Sequence, residues 1–325
     1  MRRRTFISAS IGALLAAGDA APSGLRRYSG AALAFGTTIA VSVMHGDAQQ
    51  AESAIADALR AAQQVDRLMS IYNPDSQVFQ LNRDGFLAHP DARLLHVLAQ
   101  ARRLSQLSDG AFDVTVQPLW RAFHAAAERC ALPTPRQSGR ALALVGWRDL
   151  RIGGGRVAFL RPGMALTLNG LAQGYAADLA LAALRARGIG HALLDTGEFI
   201  ARGAGSAGRS WTLGVQDPRA PDALAAILPL RGGAMATSGD YASAFTADFV
   251  HHHIFDPALG DSPPELASVT VLAPNGLLAD GLSTAFMAMG ARRARALAAR
   301  LPEVELMTID KNGARWQSAG FPAPT

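Results

Sequence analysis

Segments of helical and of strand periodicity alternate along this chain, and several strands follow one another across short glycine-containing turns. That pattern confines the fold to the α+β class, with mixed sheets and helices packed against them. Residues 33–45, rich in β-branched side chains, read as a strand. Residues 49–70 place Ile55, Leu59, Val65 and Met69 at helical spacing, and 91–108 and 114–128 read as two more helices. Residues 131–139 read as a proline-containing connection, and 148–169 as a hairpin around a glycine turn. A helix over 170–188 stops at Gly188. Strands follow at 191–203 and 210–218, then a strand pair or bulged strand at 226–239, and a strand at 266–274. A helix covers 278–290, and a last hairpin turns at Asn312-Gly313.

The chain has 325 residues, of which 49% are hydrophobic, enough to build a substantial core. Residues 1–22 have the form of a cleavable export signal, and 23–325 are expected to form a single domain. The signal has a basic start, an apolar stretch from Phe6 to Ala17, and the small residues Gly18 and Ala20. Adjacent arginines followed by Thr5, Phe6 and Ile7 resemble a twin-arginine signal, with an ordinary secretory signal as the alternative. The expected location is therefore outside the cytoplasm, in the periplasm or on the outer face of the cytoplasmic membrane. Removing Arg2, Arg3, Arg4 and Asp19 takes the formal charge from +5 to +3. No basic stripe with interleaved aromatics appears, so a nucleic-acid partner is not expected. Arg292, Arg293, Arg295 and Arg300 read as the wet face of a helix. The single cysteine, Cys130, excludes an internal disulfide and reads as a small core residue.

Two motifs fail on context. Residues 203–208, Gly-Ala-Gly-Ser-Ala-Gly, fit the dinucleotide fingerprint, but a strand rather than a helix follows them. His251, His252 and His253 lack the third and fourth ligands of a zinc site, so one histidine in a catalytic or ligand-binding role is the better reading. There is no P-loop and no Gly-x-Ser-x-Gly elbow.

The 278–290 helix is built of small and apolar residues, yet Asp280 and Thr284 sit four apart and so share one face. Both offer hard oxygen atoms. Mg²⁺ takes such ligands and commonly draws only one or two from protein, with substrate phosphates completing the shell. Other stretches join this helix. Met69 and Tyr72 follow a helix end, where they could hold a planar ring. Gly-Ala-Phe-Asp at 110–113 turns into a helix. Gly170 and Gly174 sit at a helix start, where free N–H groups favour phosphate. Ala-Thr-Ser-Gly-Asp-Tyr at 236–241 is a hydroxyl-rich turn, and His253-Ile254 follows it.

Taken in order, these stretches resemble the FAD:protein FMN transferase family, ApbE, over roughly residues 35–315. The blocks that carry the likeness are Met-Ser-x-Tyr, Gly-Ala-Phe-Asp-x-Thr-Val-x-Pro-Leu, Leu-Asn-Gly-Leu-Ala-Gln-Gly-Tyr, Ala-Thr-Ser-Gly-Asp-Tyr, His-Ile-x-Asp-Pro and Ala-Asp-Gly-Leu-x-Thr-Ala. The resemblance implies an α+β flavin-transferase fold. It implies FAD as substrate, with a divalent cation, Mg²⁺ or alternatively Mn²⁺, on its pyrophosphate. FMN would pass to a threonine of an acceptor protein while AMP leaves. By the same resemblance, Asp280, Thr284 and the backbone oxygen of Gly170 are metal ligands. Met69, Tyr72, Ala111, Phe112, Asp113, Thr167, Gln173 and Ile254 are cofactor-binding. Asp280 and His253 are the two candidates for the catalytic base, and the sequence does not choose between them.

Several positions depart from the family pattern. Thr167 stands where an Asp is usual, Asn169 replaces a glycine, Gln173 replaces a Lys or Glu, and Glu198 occupies a place where Gly-Asp is frequent. Loss of the acid at position 167 lowers the expected cation affinity. Two rival readings remain beside the transferase: an FAD-binding carrier without catalysis, and an FAD pyrophosphatase in which water is the nucleophile. The export signal and the resemblance together point to an exported or membrane-bound redox protein as acceptor.

Overall fold

Two strands, β1 (Arg26–Ala34) and β2 (Thr37–His45), begin the computed structural model, which describes residues 24–323. The expected export signal lies outside the described residues. The long helix α1 (Ala48–Met69) starts on Asp47, whose side chain accepts the Gln50 N–H, an N-cap that satisfies one free helix-end donor. Next come α2 (Gln77–Asp84), β3 (Phe86–Ala88), α3 (Ala92–Leu107), α4 (Gln117–Ala127) and α5 (Pro135–Leu142). The hairpin β4 (Leu150–Gly153) and β5 (Arg156–Phe159) precedes α6 (Ala172–Ala186). Then follow β6 (Ala192–Asp195), β7 (Phe199–Arg202), β8 (Trp211–Gln216), β9 (Leu224–Leu230), β10 (Gly232–Gly239) and β11 (Leu266–Ala273). The chain finishes with α7 (Gly276–Met289), α8 (Ala291–Ala298), β12 (Glu305–Asp310) and β13 (Arg315–Gln317).

Eight strands form the main sheet in the order β1-β2-β6-β7-β10-β11-β12-β13. Every pairing in it is antiparallel. Strands β3, β5 and β4 make a small second sheet, and β8 with β9 a two-stranded ribbon. The α+β class holds, with antiparallel sheets throughout the described residues. All eight residues of β11 are buried, as are eleven of the fourteen in α7, which packs against β10 and β11. A helix apolar on all sides must be covered on all sides. Phe286 and Leu282 are fully buried there, each contributing about 1.5–3 kcal/mol relative to exposure. Alanines line the contact between α1 and α6, including Ala54, Ala58, Ala176 and Ala180, and the missing side-chain bulk lets the two helices approach closely.

Four sequence expectations need correction. The strand over 33–45 begins only at Thr37, because Phe35 and Gly36 adopt φ of 55° and 74° and turn β1 back on β2. The connection at 131–139 contains α5, started by Pro135 and closed by a capping box between Thr134 and Gln137. Cys130 is exposed, in a turn with φ of 54°, and does not join the core. The segment 226–239 is split between two sheets, with β9 pairing β8 and β10 pairing β7 and β11. Arg292 and Arg293 lie on the exposed face of α8, whereas Arg295 is half-buried over the Trp316 ring and Arg300, exposed, lies past the helix end. Residues 203–208 connect β7 to β8 and open no helix of the dinucleotide-binding kind. No helix among the described residues is long and apolar enough to cross a membrane.

Candidate active site

The N-terminal turns of α6 and α7 cross at two glycines. A Cβ on Gly174 would stand 2.1 Å from the Gly276 carbonyl oxygen and 2.7 Å from Asp280 Cβ. A Cβ on Gly276 would stand 2.3 Å from the Gly174 oxygen. Only backbone fits there. Asp178 ties the crossing together by accepting the Gly276 and Leu277 N–H groups at 2.8 and 2.9 Å, so α6 caps the start of α7. Asn275 accepts the Leu278 N–H at 2.9 Å from the other side.

This contact carries Asp280 inward. Asp280 is 3% exposed, and its Oδ2 accepts the Gly174 N–H at 2.9 Å. Burial pushes its pKa up to about 7, against the Gly174 bond and with help from the Asp178 charge. Glu198, just before β7, faces the same interior. Burial and the Asp280 charge drive it well above the usual carboxylate range, although Oε2 accepts the Thr237 N–H at 3.2 Å. Two acids, Asp280 buried and Glu198 half-buried, therefore share one site with no basic side chain bonded to either among the described residues.

Hydroxyls complete the surroundings. Ser238 on β10 lies 2.8 Å from Ser283 Oγ and 3.3 Å from Thr284 Oγ1. Ser283 donates to the Asp280 carbonyl at 2.9 Å. Gly170 faces Thr284 so closely that a Cβ would stand 2.7 Å from Oγ1. Asp280, Thr284 and Gly170, singled out in the sequence as metal ligands, thus come together at one place. The donor set is hard oxygen, and Oδ1 of Asp280 has no hydrogen-bond partner among the described residues, so the residues suit Mg²⁺ or Mn²⁺. No group of three or more His, Cys, Asp or Glu among the described residues could hold an ion alone. An ion here would need ligands from a substrate.

The remaining predicted residues divide by environment. Gln173 donates from Nε2 to the Thr196 oxygen at 2.9 Å, and its own carbonyl accepts Thr196 Oγ1, so it stands beside the Glu198 turn. Thr167 lies in the strap before α6, where Oγ1 accepts the Asn169 N–H at 3.3 Å. Tyr72 is 67% exposed, an open aromatic face, whereas Met69 is 2% exposed in the main core. Ala111 and Phe112 are buried. Asp113 is spent internally: it accepts from Thr115 N and Oγ1 at 2.8 and 2.6 Å and from Trp147 N at 2.9 Å. That makes it a brace of the turn, its pKa raised by burial. His253 receives its place from a backbone bond to the Ser243 oxygen, and Ile254 beside it is buried. His253 Nδ1 is enclosed with no partner, and burial lowers its pKa, which keeps the ring neutral. Hydrogen bonds join none of Met69, Tyr72, Asp113 or His253 to the Asp280 cluster.

Sequence reasoning missed Asp178, Ser238 and Ser283 as members of the site and noted Glu198 only as a departure. Asp178 is one helical turn beyond Gly174, a spacing that reports the shared face. Ser238 and Glu198 come from strands adjacent only in the folded sheet.

The antiparallel sheet of this α+β shell delivers hydroxyls to a buried carboxylate beside a helix crossing, a cluster of hard oxygen atoms. Comparison with known proteins gives the family. The ApbE family model matches residues 35–308, and the chain belongs to that family. The FAD:protein FMN transferase of Vibrio cholerae serotype O1 is 30% identical over 98% of both chains. That of Salmonella typhimurium is 31% identical over 88% of this chain and 86% of its own. Among solved structures, the ApbE protein of Thermotoga maritima superposes with a TM-score of 0.80 at 27% identity, covering 90% of this chain and 97% of that one. The flavin transferase ApbE of Vibrio cholerae gives 0.78 at 25% identity, covering 91% and 98%. The expectations of the family, its fold and an enzyme of the flavin-transferase kind hold.

Proposed function

We propose that this chain is an FAD:protein FMN transferase, dependent on Mg²⁺, that joins FMN to a threonine hydroxyl of an acceptor protein and releases AMP. The observation that carries the reading is the meeting of Asp280, Thr284 and Gly170 beside the α6–α7 crossing, in a chain whose relatives bear that activity. Asp280, Thr284 and the Gly170 backbone oxygen would hold the cation, which supplies charge neutralisation on the pyrophosphate when bound. The acceptor threonine oxygen forms a bond to the FMN phosphorus, the bond to the AMP oxygen breaks, and the threonine proton needs a base.

His253 is the better base of the two candidates. Its ring is held neutral by burial, so a nitrogen lone pair is free for the proton. Asp280 is occupied at the Gly174 N–H and, with the cation present, at the metal. Glu198 stands beside Asp280, and a bound divalent ion would favour its ionised form, which burial and the Asp280 charge otherwise disfavour. The exposed Tyr72 offers a stacking surface for a planar ring. The basic and apolar start of residues 1–22 supports export to the periplasm or the outer face of the cytoplasmic membrane, and an exported or membrane-bound redox protein as acceptor.

The test is an incubation of the mature protein with FAD, Mg²⁺ and a threonine-containing acceptor peptide, read by intact mass. An FMN-sized gain on the peptide, abolished by chelator and by Asp280→Ala, is expected. Tight FAD binding without a gain would replace the transferase by a carrier. Free FMN and AMP without an adduct would make water the nucleophile.

A further inference from the structure

A second cavity of about 330 Å³ opens where the end of α6 meets the ends of β7, β10 and β11. Three arginines line it: Arg185 from α6, Arg202 from β7 and Arg231 from the turn before β10. None of the three is within ion-pair distance of a carboxylate among the described residues. Arg231 bonds only to the neutral Ser210 Oγ and Gly208 oxygen, at 3.1 and 3.2 Å. Arg202 Nε is shut off from solvent and has no hydrogen-bond partner among the described residues. An enclosed guanidinium donor without an acceptor is costly, and most proteins supply one. The single acid in the lining is Asp178, and both of its oxygens are already taken by the Gly276 and Leu277 N–H groups. The lining thus sets three guanidinium groups against one carboxylate, Asp178, which feels the Arg185 charge, and leaves an excess of positive charge.

Its remaining walls favour close approach of a ligand. Gly190, Gly203, Gly232 and Gly233 contribute bare backbone. Gly203 and Gly233 have φ of 64° and 84°, a region that favours glycine, and added Cβ atoms would stand 2.6 Å from the Gly190 oxygen and 2.9 Å from the Ala273 oxygen. Three guanidinium groups, planar and rich in donors, suit a tetrahedral dianion better than a monovalent one. The volume exceeds that of a bare phosphate ion and accommodates an organic portion as well.

We propose that Arg185, Arg202 and Arg231 form a binding site for a phosphate-bearing small molecule, separate from the Asp280 site. This inference does not rest on the flavin-transfer reading. The two sites are joined by Asp178, which lines the cavity and caps the helix that bears Asp280, so the ligand reports to the start of α7.

The experiment is calorimetric titration of the metal-free protein, with chelator present, using inorganic phosphate, adenosine 5′-monophosphate and uncharged adenosine at constant ionic strength. The wild type is compared with Arg185→Gln, Arg231→Gln and the double variant. Saturable binding of phosphate and of the monophosphate is expected, weakened about tenfold by each substitution, with the monophosphate tighter. Adenosine alone should not bind. FAD affinity, followed by flavin fluorescence in the presence of Mg²⁺, should be unchanged in both single variants, which also certifies their folding. Phosphate binding that is equal in all variants would place the anion elsewhere and overturn the proposal, as would no saturable binding to the wild type. A loss of FAD affinity in parallel with phosphate would mean that the arginines serve the flavin site and not a separate one.

Discussion

Asp280 Oδ2 accepts a hydrogen bond from the Gly174 backbone N–H at 2.9 Å, across a helix crossing too tight for any side chain on Gly174. The same glycine therefore sets the spacing of α6 and α7 and orients the carboxylate proposed to hold the cation. Stability and chemistry share one contact.

Replacement of Gly174 by alanine tests that sharing. The new methyl would meet the Gly276 oxygen at 2.1 Å and Asp280 Cβ at 2.7 Å, and neither can move without displacing a helix. Overpacking of this kind costs about 1–3 kcal/mol. Gly174→Ala is expected to lower the thermal midpoint and to weaken Mg²⁺-dependent FAD binding together. A variant with intact binding and a normal midpoint would show that the crossing relaxes freely.

Asp280→Asn separates the two roles. The substitution preserves shape while removing a carboxylate whose ionisation is disfavoured by burial and opposed by its neighbour Glu198. An unpaired buried charge is unfavourable, so the metal-free variant should be more stable than the wild type by about 1 kcal/mol in denaturant titration. Flavin transfer should fall by about a hundredfold or more, because the cation loses its only protein carboxylate. Lower stability in the variant would mean that Asp280 is stabilised by its Gly174 bond more than it is penalised by burial.

The sequence disclosed different parts of this arrangement to different degrees. Long helices such as α1 and α6 were legible because their apolar periodicity is sustained, and Asp280 with Thr284 because four residues is a helical repeat. The turn at Phe35-Gly36 was not, since Phe is unusual at positive φ and the strand pattern runs straight through it. Met69 and Asp113 read as ligand contacts from their motifs; their surroundings, the core for one and a braced turn for the other, were not legible there. The pairing of Glu198 with Asp280 depends on which strand lies under α7, which no local pattern encodes.

Asp240 provides a third test. It follows β10, is fully buried, and accepts two hydrogen bonds from Arg219 at 2.8 Å each, with Lys311 at 3.4 Å. Arg219 also stacks on Phe249, 4.7 Å from the ring centre, so the acid holds the segment that leads to His253. Asp240→Ala leaves two cations facing an apolar gap, at a cost of about 3 kcal/mol. The expected result is a lower denaturant midpoint and a slower transfer step with FAD affinity retained. Unchanged transfer in a folded variant would detach the segment from His253.

Acid sensitivity should come in part from His252, which is fully buried between β-bridge neighbours, donates its backbone N–H to Ser262 and is flanked by His251, His253 and Lys311. Burial, reinforced by electrostatic opposition from these neighbours, lowers its pKa to about 3. In the unfolded chain the ring titrates near about 6.5. Between those values the unfolded state binds the extra proton, so stability rises with pH across the window. The contribution is fully present above the unfolded value and is lost as pH falls toward the folded one. From pH 7 to pH 5 the loss from this one ring is about 2 kcal/mol. His253, held neutral in the same way, adds to it, whereas Glu198 and Asp280, raised by burial, work in the opposite direction. Those groups are common to the wild type and to His252→Gln, so the difference between the two proteins isolates His252. Urea midpoints at pH 7 and pH 5 should converge for the variant relative to the wild type by that amount. Parallel shifts in both proteins would show that another group carries the acid response.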